Sequence, residues 1–459
     1  MYVALPIEIK IREYVGKILL VFQLLNHKVD KIIIGEKSRV YNIYKNNTGI
    51  FLVSKGGPEK SLFIKKKIKK NKLAILDEEG PVINFQDHVL QNRVTKKIFS
   101  LIDHYIFWGK KDYRLIEKKL KSKIMRPDIF GHPKFDLCKK PLLDYYNKEI
   151  NLIKKKYKKF IFFSSSFGSD QTMPKHLYDN YILKNLQKNN LKNKKTVINE
   201  REREHVDYIK SINAIVVLAK KFPYVNFIFR PHPRQNLDLV KMRFKNKKNI
   251  HVIYKYTTIP WIAACELYIH SGCTTVFEAV SLKKKIIFYY ENSKKFRPKL
   301  FYDFGKYCKN VERLIINVRN KNDIKSNFQL KEYINNSKNN FFYEGFVNLI
   351  KKNLKKNDNK KIFYNRYNYS KLSKFLSLIK KKIFEIKFMN KIVFFFDKEI
   401  LLSENYKKQK IGVITKKEIQ KDLLIFSKIF KKKIKYKIKQ LDRNLFLIKN
   451  EKKNSFNNS

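Results

Sequence analysis

Two short polar runs carry side chains suited to holding an anion: Arg230-Pro231-His232-Pro233 and His270-Ser271-Gly272-Cys273-Thr274-Thr275. In the first, Arg230 brings a permanent cation, and His232, fixed between two prolines, has a restricted backbone that suits a donor facing a phosphate. In the second, Gly272 lets the backbone come close to a ligand, while Ser271, Thr274 and Thr275 add hydroxyl donors beside His270. Glu278 follows one turn later, with the reach to accept from ribose hydroxyls. Thr275-x-x-Glu278 also spells a helix capping box that requires no ligand. A third run, Asp77-Glu78-Glu79-Gly80, sets three carboxylates together. Mutual repulsion among them raises at least one pKa and favours a general base near neutral pH. The same run also reads as an acidic surface turn closed by Gly80-Pro81.

The elements that position these runs are legible as apolar patches. Phe227–Phe229, His251–Tyr254, Leu267–Ile269 and Ile286–Tyr290 read as strands alternating with helix-like segments, the pattern of a parallel α/β sheet. In such sheets ligands sit outside the carboxyl ends of the strands, where both cationic runs fall. Upstream, Tyr2–Ile9, Val29–Ile34, Ile50–Val53, Leu73–Leu76 and His104–Trp108 predict the strands of a first Rossmann-like domain. The turn Gly131-His132-Pro133-Lys134-Phe135-Asp136 closes it. The resulting division is residues 1–144 for this acceptor-side domain and 145–159 for a Lys-rich linker helix. Residues 160–350 form a second, nucleotide-binding Rossmann-like domain, and 351–459 a Lys/Asn-rich extension without a motif. The second domain opens with a strand whose exit, Ser164–Ser169, reads either as an anion cradle or as a simple turn. Two such halves facing each other across a cleft bring an acidic turn and cationic turns together. That division of labour, a base for an acceptor hydroxyl opposite a cradle for a departing phosphate, is what sugar transfer from a nucleotide requires.

Charge is the loudest compositional feature: 102 Lys+Arg against 40 Asp+Glu give a formal +62 over 459 residues. A surplus of this size invites a nucleic-acid or anionic-membrane partner. The excess is nearly all lysine, however, and is spread along the chain with abundant Asn, Ile, Phe and Tyr. Those residues share A/T-rich codons, so genome composition accounts for much of the charge. A basic RNA-binding protein, the alternative from a different class, would group aromatic and basic residues on one face; here they are dispersed. Cys138, Cys265, Cys273 and Cys308 lack metal-ligand spacing, and reduced thiols with no bound metal are expected. Glu8, Arg12 and Glu13 interrupt the apolar start, and no apolar run approaches a membrane span. A cytoplasmic protein is therefore expected, with peripheral contact at the anionic inner membrane face.

The ordered set LPIEIKIRE, LDEEG, GHPKFDL, FRPHP and PWIAACELYIHSGCTTVFEAV resembles the bacterial surface carbohydrate biosynthesis proteins, a GT-B-like family, over Met1–Phe301. More distantly, an acidic-acidic-Gly motif, an HP motif and a Ser/Thr cluster in that order are similar to CMP-sugar sialyltransferases and Kdo-transferases. The resemblance implies Glu78 as base with Glu79 in reserve, and His232 at the CMP phosphate with Ser271, Thr274 and Thr275 as further contacts. This chain departs from the pattern where His270-Ser271-Gly272 replaces a plain Ser-Ser pair and where Arg230 precedes the HP. The expected activity is a metal-independent glycosyltransferase of surface polysaccharide or lipopolysaccharide biosynthesis. Its nucleotide-sugar, CMP-activated or otherwise, is a co-substrate rather than a cofactor, and its acceptor is a glycan or lipid-linked glycan. The alternative on the same two-Rossmann scaffold is a nucleotide-sugar 2-epimerase or a polyol-phosphate transferase.

If the charge reflects codon usage, the purified protein will bind duplex DNA or RNA weakly at physiological salt, with affinity collapsing as salt rises. Sequence-selective RNA binding that survives high salt in a filter-binding titration contradicts this.

Overall fold

The computed structural model describes residues 1–56, 70–80, 93–168, 194–233, 235–291, 299–325, 328–354 and 409–451. Its strands, in chain order, are β1 (Tyr2–Ile7), β2 (Lys31–Glu36), β3 (Ile50–Ser54), β4 (Lys72–Leu76), β5 (His104–Phe107), β6 (Asp128–Ile129), β7 (Phe160–Ser164), β8 (Asn226–Arg230), β9 (Ile250–Val252), β10 (Leu267–His270), β11 (Lys285–Tyr289), β12 (Lys306–Cys308), β13 (Tyr436–Asp442) and β14 (Leu445–Asn450). The chain divides into two compact units. One holds Met1–Ile75, Ser100–His104 and Val347–Ser459, the other Leu76–Phe99 and Tyr105–Phe346.

In the first unit the strand order is β13-β14-β2-β1-β3-β4. The pairs β2–β1, β1–β3 and β3–β4 are parallel, and β1 and β3 are buried throughout. Burial on both faces explains why these strands read as continuous apolar runs. The helix Lys10–Asn26 packs Phe22 against Phe426 and stacks it on Phe430, with ring centroids 6.2 and 5.2 Å apart. Phe426 belongs to the helix Lys416–Ile429, and the hairpin that follows adds β14 antiparallel to the edge of β2. The C-terminal segment, motif-free in sequence, thus completes this unit through residues 409–451. Its strand signal is weak because β13 keeps Lys437, Lys439 and Gln440 in solvent, as an edge strand does. The apolar run KIVFFFDKEILL lies outside the described residues. Glu8, just past β1, faces Lys37 and Lys55 at 2.9 and 2.6 Å, and Lys410. Burial pushes its pKa up, but these ammonium groups outweigh that and hold the carboxyl well below the usual range.

In the second unit the strands run β9-β8-β7-β10-β11-β12, all parallel. With β7 first in the chain, the order is 3-2-1-4-5-6, that of a dinucleotide-binding Rossmann sheet. Alternate residues serve opposite layers. Phe160, Phe162, Ile228, Tyr268, Ile286 and Phe288 enter one apolar cluster, whereas Ile161, Phe163, Phe227, Phe229, Ile269 and Ile287 enter the other. The four strands expected around the polar runs are all present, with His251–Tyr254 shortened to β9. Among the described residues no helix is long and apolar enough to cross a membrane.

Gly35 in β2 has φ +155°, and a Cβ there would lie 2.1 Å from the Asn444 carbonyl at the hairpin turn. Gly35→Ala forces backbone apart and should cost roughly 1–3 kcal/mol of stability. Urea unfolding will report it as a lowered midpoint; an unchanged midpoint contradicts the packing of the C-terminal hairpin on β2.

Candidate functional site

The chain order of the second sheet reverses between β7 and β10, and a crevice outside the carboxyl ends of those strands is where such sheets take ligands. The two strand exits are tied together there. Ser166 Oγ donates to the Ser271 carbonyl, and Thr275 Oγ1 donates to Ser164 Oγ, each at 3.2 Å. Gly272 turns the chain with φ +94°, a conformation glycine adopts without a steric penalty. Its N–H donates to His270 Nδ1 at 3.2 Å, so the proton sits on Nε2, which faces the Phe304 carbonyl at 3.3 Å. Beyond the turn, the helix Val276–Ser281 begins with no side-chain cap from Thr275, so the capping box that Thr275-x-x-Glu278 also spells is not formed.

Three residues expected to meet a ligand have other tasks. The His270 ring is wholly buried, stacked on Tyr268 with Phe288 on its flank, and both ring nitrogens serve the fold. Ser271 is equally buried, its hydroxyl 3.2 Å from that of Ser211. Arg230 donates from Nη1 to the Lys255 carbonyl at 3.1 Å and from Nη2 to the Tyr256 carbonyl at 2.7 Å. Burial lowers its pKa to about 10, and the guanidinium fastens a loop in which Tyr256 has φ +61°. Gly272, Cys273, Thr274 and Thr275 are half-buried, as are His232 and Pro233. His232 is held in a tight turn: its N–H donates to Gln235 Oε1 at 2.8 Å, and its carbonyl accepts from the Gln235 N–H at 2.9 Å.

The acidic turn follows β4, and its three carboxylates do not repel one another as a free cluster would. Asp77 and Glu79 share Arg93, with Asp77 Oδ2 at 2.9 Å from Nη1 and Glu79 on Nη2. Burial alone would lower the Arg93 pKa, but Asp77 and Glu79 raise it. Glu78, 3% exposed, turns the other way and meets His132 Nε2 at 2.9 Å. The Lys134 N–H donates to His132 Nδ1 at 3.3 Å, so Nε2 carries the proton and donates to Glu78 Oε2. Trp108 braces both groups. Its Nε1 donates to the Asp77 carbonyl at 2.9 Å, and its ring centroid is 4.7 Å from that of His132.

His132 and Lys134, in the turn that closes the first domain and within the GHPKFDL motif, join this cluster although the sequence assigns them no role. Gly131 has φ +95°, and a Cβ there would lie 1.8 Å from Asn336 Oδ1. The Asn336 carboxamide accepts from the His132 N–H at 3.0 Å and donates to the His132 carbonyl at 2.9 Å and to Asp136 at 2.7 Å. His132 then caps the short helix Pro133–Asp136 through its own ring. That helix aims Lys134 at Glu278, with Nζ 3.3 Å from Oε1 and 4.6 Å from the centroid of the Trp108 ring. Among the described residues no cluster of three or more His, Cys, Asp or Glu is arranged to hold a metal ion.

Neither a protein-family model nor a curated protein matches the chain. Solved structures do. A variant of the wall teichoic acid polymerase TagF is 11% identical, with 76% of this chain and 87% of that chain covered at a TM-score of 0.51. UDP-GlcNAc 2-epimerase from Neisseria meningitidis, bound to UDP-GlcNAc, is 13% identical over 77% of this chain and 100% of its own, at 0.47. The epimerase from Methanocaldococcus jannaschii is 14% identical over 74% and 81%, at 0.44. The likeness to TagF is one of fold. Together with the strand order it makes the chain an α/β protein of GT-B type with two Rossmann-like sheets.

Asp136 supports this site from beneath, accepting from Asn336 and from the N–H groups of Phe342 and Tyr343 at 2.9 and 3.2 Å. Burial nevertheless pushes its pKa up to about 6. The folded value lies above the unfolded one, so its stabilising contribution is full at low pH and is lost as pH rises to about 6. Relative to Asp136→Asn, the wild type should lose up to about 3 kcal/mol between pH 4 and 6 and then level off. Parallel pH–stability curves for the two proteins contradict this.

Proposed function

We propose that the protein is a glycosyltransferase of surface-glycan biosynthesis, moving a sugar from a nucleotide donor to a glycan or lipid-linked acceptor. The observation that carries this reading is Glu78, a buried carboxylate whose orientation is fixed by a proton donor, His132, whose ring packs against Trp108. A base so held has one task suited to it, removing the proton of an acceptor hydroxyl. As that proton moves to Glu78, the hydroxyl oxygen bonds to the anomeric carbon of the donor. The bond from that carbon to the donor phosphate oxygen breaks, and the phosphate departs with the electron pair. His232 and the half-buried turn Gly272–Thr275, at the switch point of the second sheet, are the groups proposed to receive that negative charge.

Glu79 is the reserve. It stands 34% exposed with Arg93 on it, so its carboxylate is already neutralised by a cation. The donor is proposed to be a CMP-, UDP- or CDP-activated group. The fold likeness to a wall teichoic acid polymerase agrees with group transfer onto a surface polymer, and the basic surface with work beside an anionic inner membrane face.

Glu78→Gln should lower kcat for nucleotide release in the presence of acceptor by about a hundredfold or more, with nucleotide affinity unchanged. Glu79→Gln should keep most of the rate. If both single variants and the double variant transfer at the wild-type rate, the acidic turn is no base and the proposed mechanism is wrong.

A further inference from the structure

Of the motifs that carry the family resemblance, LPIEIKIRE has no part in the chemistry above. It spans β1 and the start of the helix Lys10–Asn26, and the turn between them is built around charge. Glu13, itself buried, accepts from the Glu8 N–H at 2.7 Å and from Arg12 Nη2 at 2.9 Å. The Glu8 side chain turns to lysines instead. Lys37 and Lys55 reach its Oε2 at 2.9 and 2.6 Å, and Lys410 meets its Oε1. All four side chains keep between 16% and 30% of their surface in solvent, so a ligand can reach them.

The three lysines come from separate elements. Lys37 follows β2, Lys55 follows β3, and Lys410 belongs to the C-terminal segment, which is anchored at this end by Glu418, 2.8 Å from Lys10, and by Asp442 on Arg39. Because β2, β1 and β3 are parallel neighbours, the cluster stands at their carboxyl ends, and the chain order reverses between β1 and β3. Open α/β sheets take ligands at such a point. β4 leaves the sheet on the same edge and continues into the acidic turn that carries Glu78. Three ammonium groups drawn onto one carboxylate also repel one another. Burial lowers the Lys37 pKa, Glu8 pulls it up, and Lys55 and Lys410 push it down again, with a net downward shift. A second anion relieves that repulsion.

We propose that Lys37, Lys55 and Lys410 form a subsite for an anionic group of the acceptor, a phosphate or a sugar carboxylate, with Glu8 gathering the lysines around it. This rests on the reading of the protein as a transferase and adds to it the chemical class of the acceptor, an acidic glycan rather than a neutral one. It also gives the C-terminal segment a task, the delivery of Lys410 to the carboxyl ends of the first sheet. Ammonium groups bind either anion through charge-assisted hydrogen bonds, so the geometry names the charge and the experiment names its source.

The test is calorimetric titration, at physiological salt, of a short oligo(glycerol phosphate), an oligouronate of equal charge and a neutral malto-oligosaccharide into the full-length protein. The variants are Lys37→Met with Lys410→Met, Glu8→Gln, and a control that removes the same charge from the exposed edge strand, Lys437→Met with Lys439→Met. One acidic probe should bind the wild type more tightly than the neutral one and lose about tenfold or more in the first double variant, with the control double variant near wild type. Glu8→Gln removes a competing carboxylate and should tighten the same probe. If the first double variant fails to fold, Lys410→Met alone must show the loss. Equal losses in the two double variants mean attraction to net charge only and overturn the inference. So does a Glu8→Gln variant that loses the probe as the lysine variants do, since that marks a cluster serving the fold alone. Acidic probes that bind the wild type no better than the neutral one overturn it as well. Stabilisation by nucleotide, followed in the same proteins, should be unchanged by the lysine substitutions. Its loss in the first double variant assigns the cluster to the donor and overturns this inference alone, whereas its absence from the wild type overturns the transferase reading.

Discussion

Asn336 spends both ends of its carboxamide on a single residue, accepting from the His132 N–H and donating to the His132 carbonyl, much as a neighbouring strand would. The residue is fully buried, so each of these bonds, if left unmade, would cost about 1–3 kcal/mol. The arrangement works only because position 131 has no side chain, and only because Asp136 fixes the amide from the other side. From that one constraint the rest of the site follows. The His132 ring is free of backbone wobble and faces Glu78, and the next turn of chain carries Lys134 to Glu278.

The four carboxylates of the site are divided among three partners rather than pooled. Arg93 takes Asp77 and Glu79, His132 takes Glu78, and Lys134 takes Glu278. Burying one partner of such a pair without the other is strongly unfavourable, whereas a matched pair costs far less. This pairing separates roles that sequence alone lumps together. The two carboxylates on Arg93 face a permanent cation, while Glu78 faces an imidazole that donates to it through Nε2. The overall surplus of lysine has little part in this. Glu8 in the other unit, ringed by lysines, shows where such charge does act on a buried group.

The layering and direction of the second sheet were readable because β7, β8, β10 and β11 are near-continuous apolar runs, buried on both faces, ending in polar turns. What could not be read was which polar residue at a strand end looks outward. His270 and Arg230 follow apolar strands and have donor-rich side chains, yet the first packs among aromatic rings and the second grips two carbonyls of a loop. Spacing does not encode that choice, because the partners, Phe304 and Tyr256, come from other elements. The acidic turn was misjudged for the same reason. Repulsion among Asp77, Glu78 and Glu79 was inferred from adjacency, while Arg93 and His132 reach them from farther along the chain. His132 and Lys134 had a visible signal, a Gly-His-Pro-Lys turn, but its significance depends on Asn336 and Glu278, both distant in sequence. In the C-terminal hairpin β13 escaped because an edge strand with lysines in solvent has no apolar run to betray it, whereas β14 carries the short buried run Leu445–Ile448.

A single binding measurement bears most directly on the claim that this fold works on a nucleotide-activated group. Thermal unfolding of the full-length protein with saturating CMP, UDP or CDP should show one of the three raising Tm progressively with concentration, since a ligand that binds only the folded state stabilises it by mass action. Uridine or cytidine alone should do so far less, because the departing phosphate is what His232 and Gly272–Thr275 are proposed to receive. A melting temperature unmoved by all three nucleotides at millimolar concentration would contradict the transferase reading.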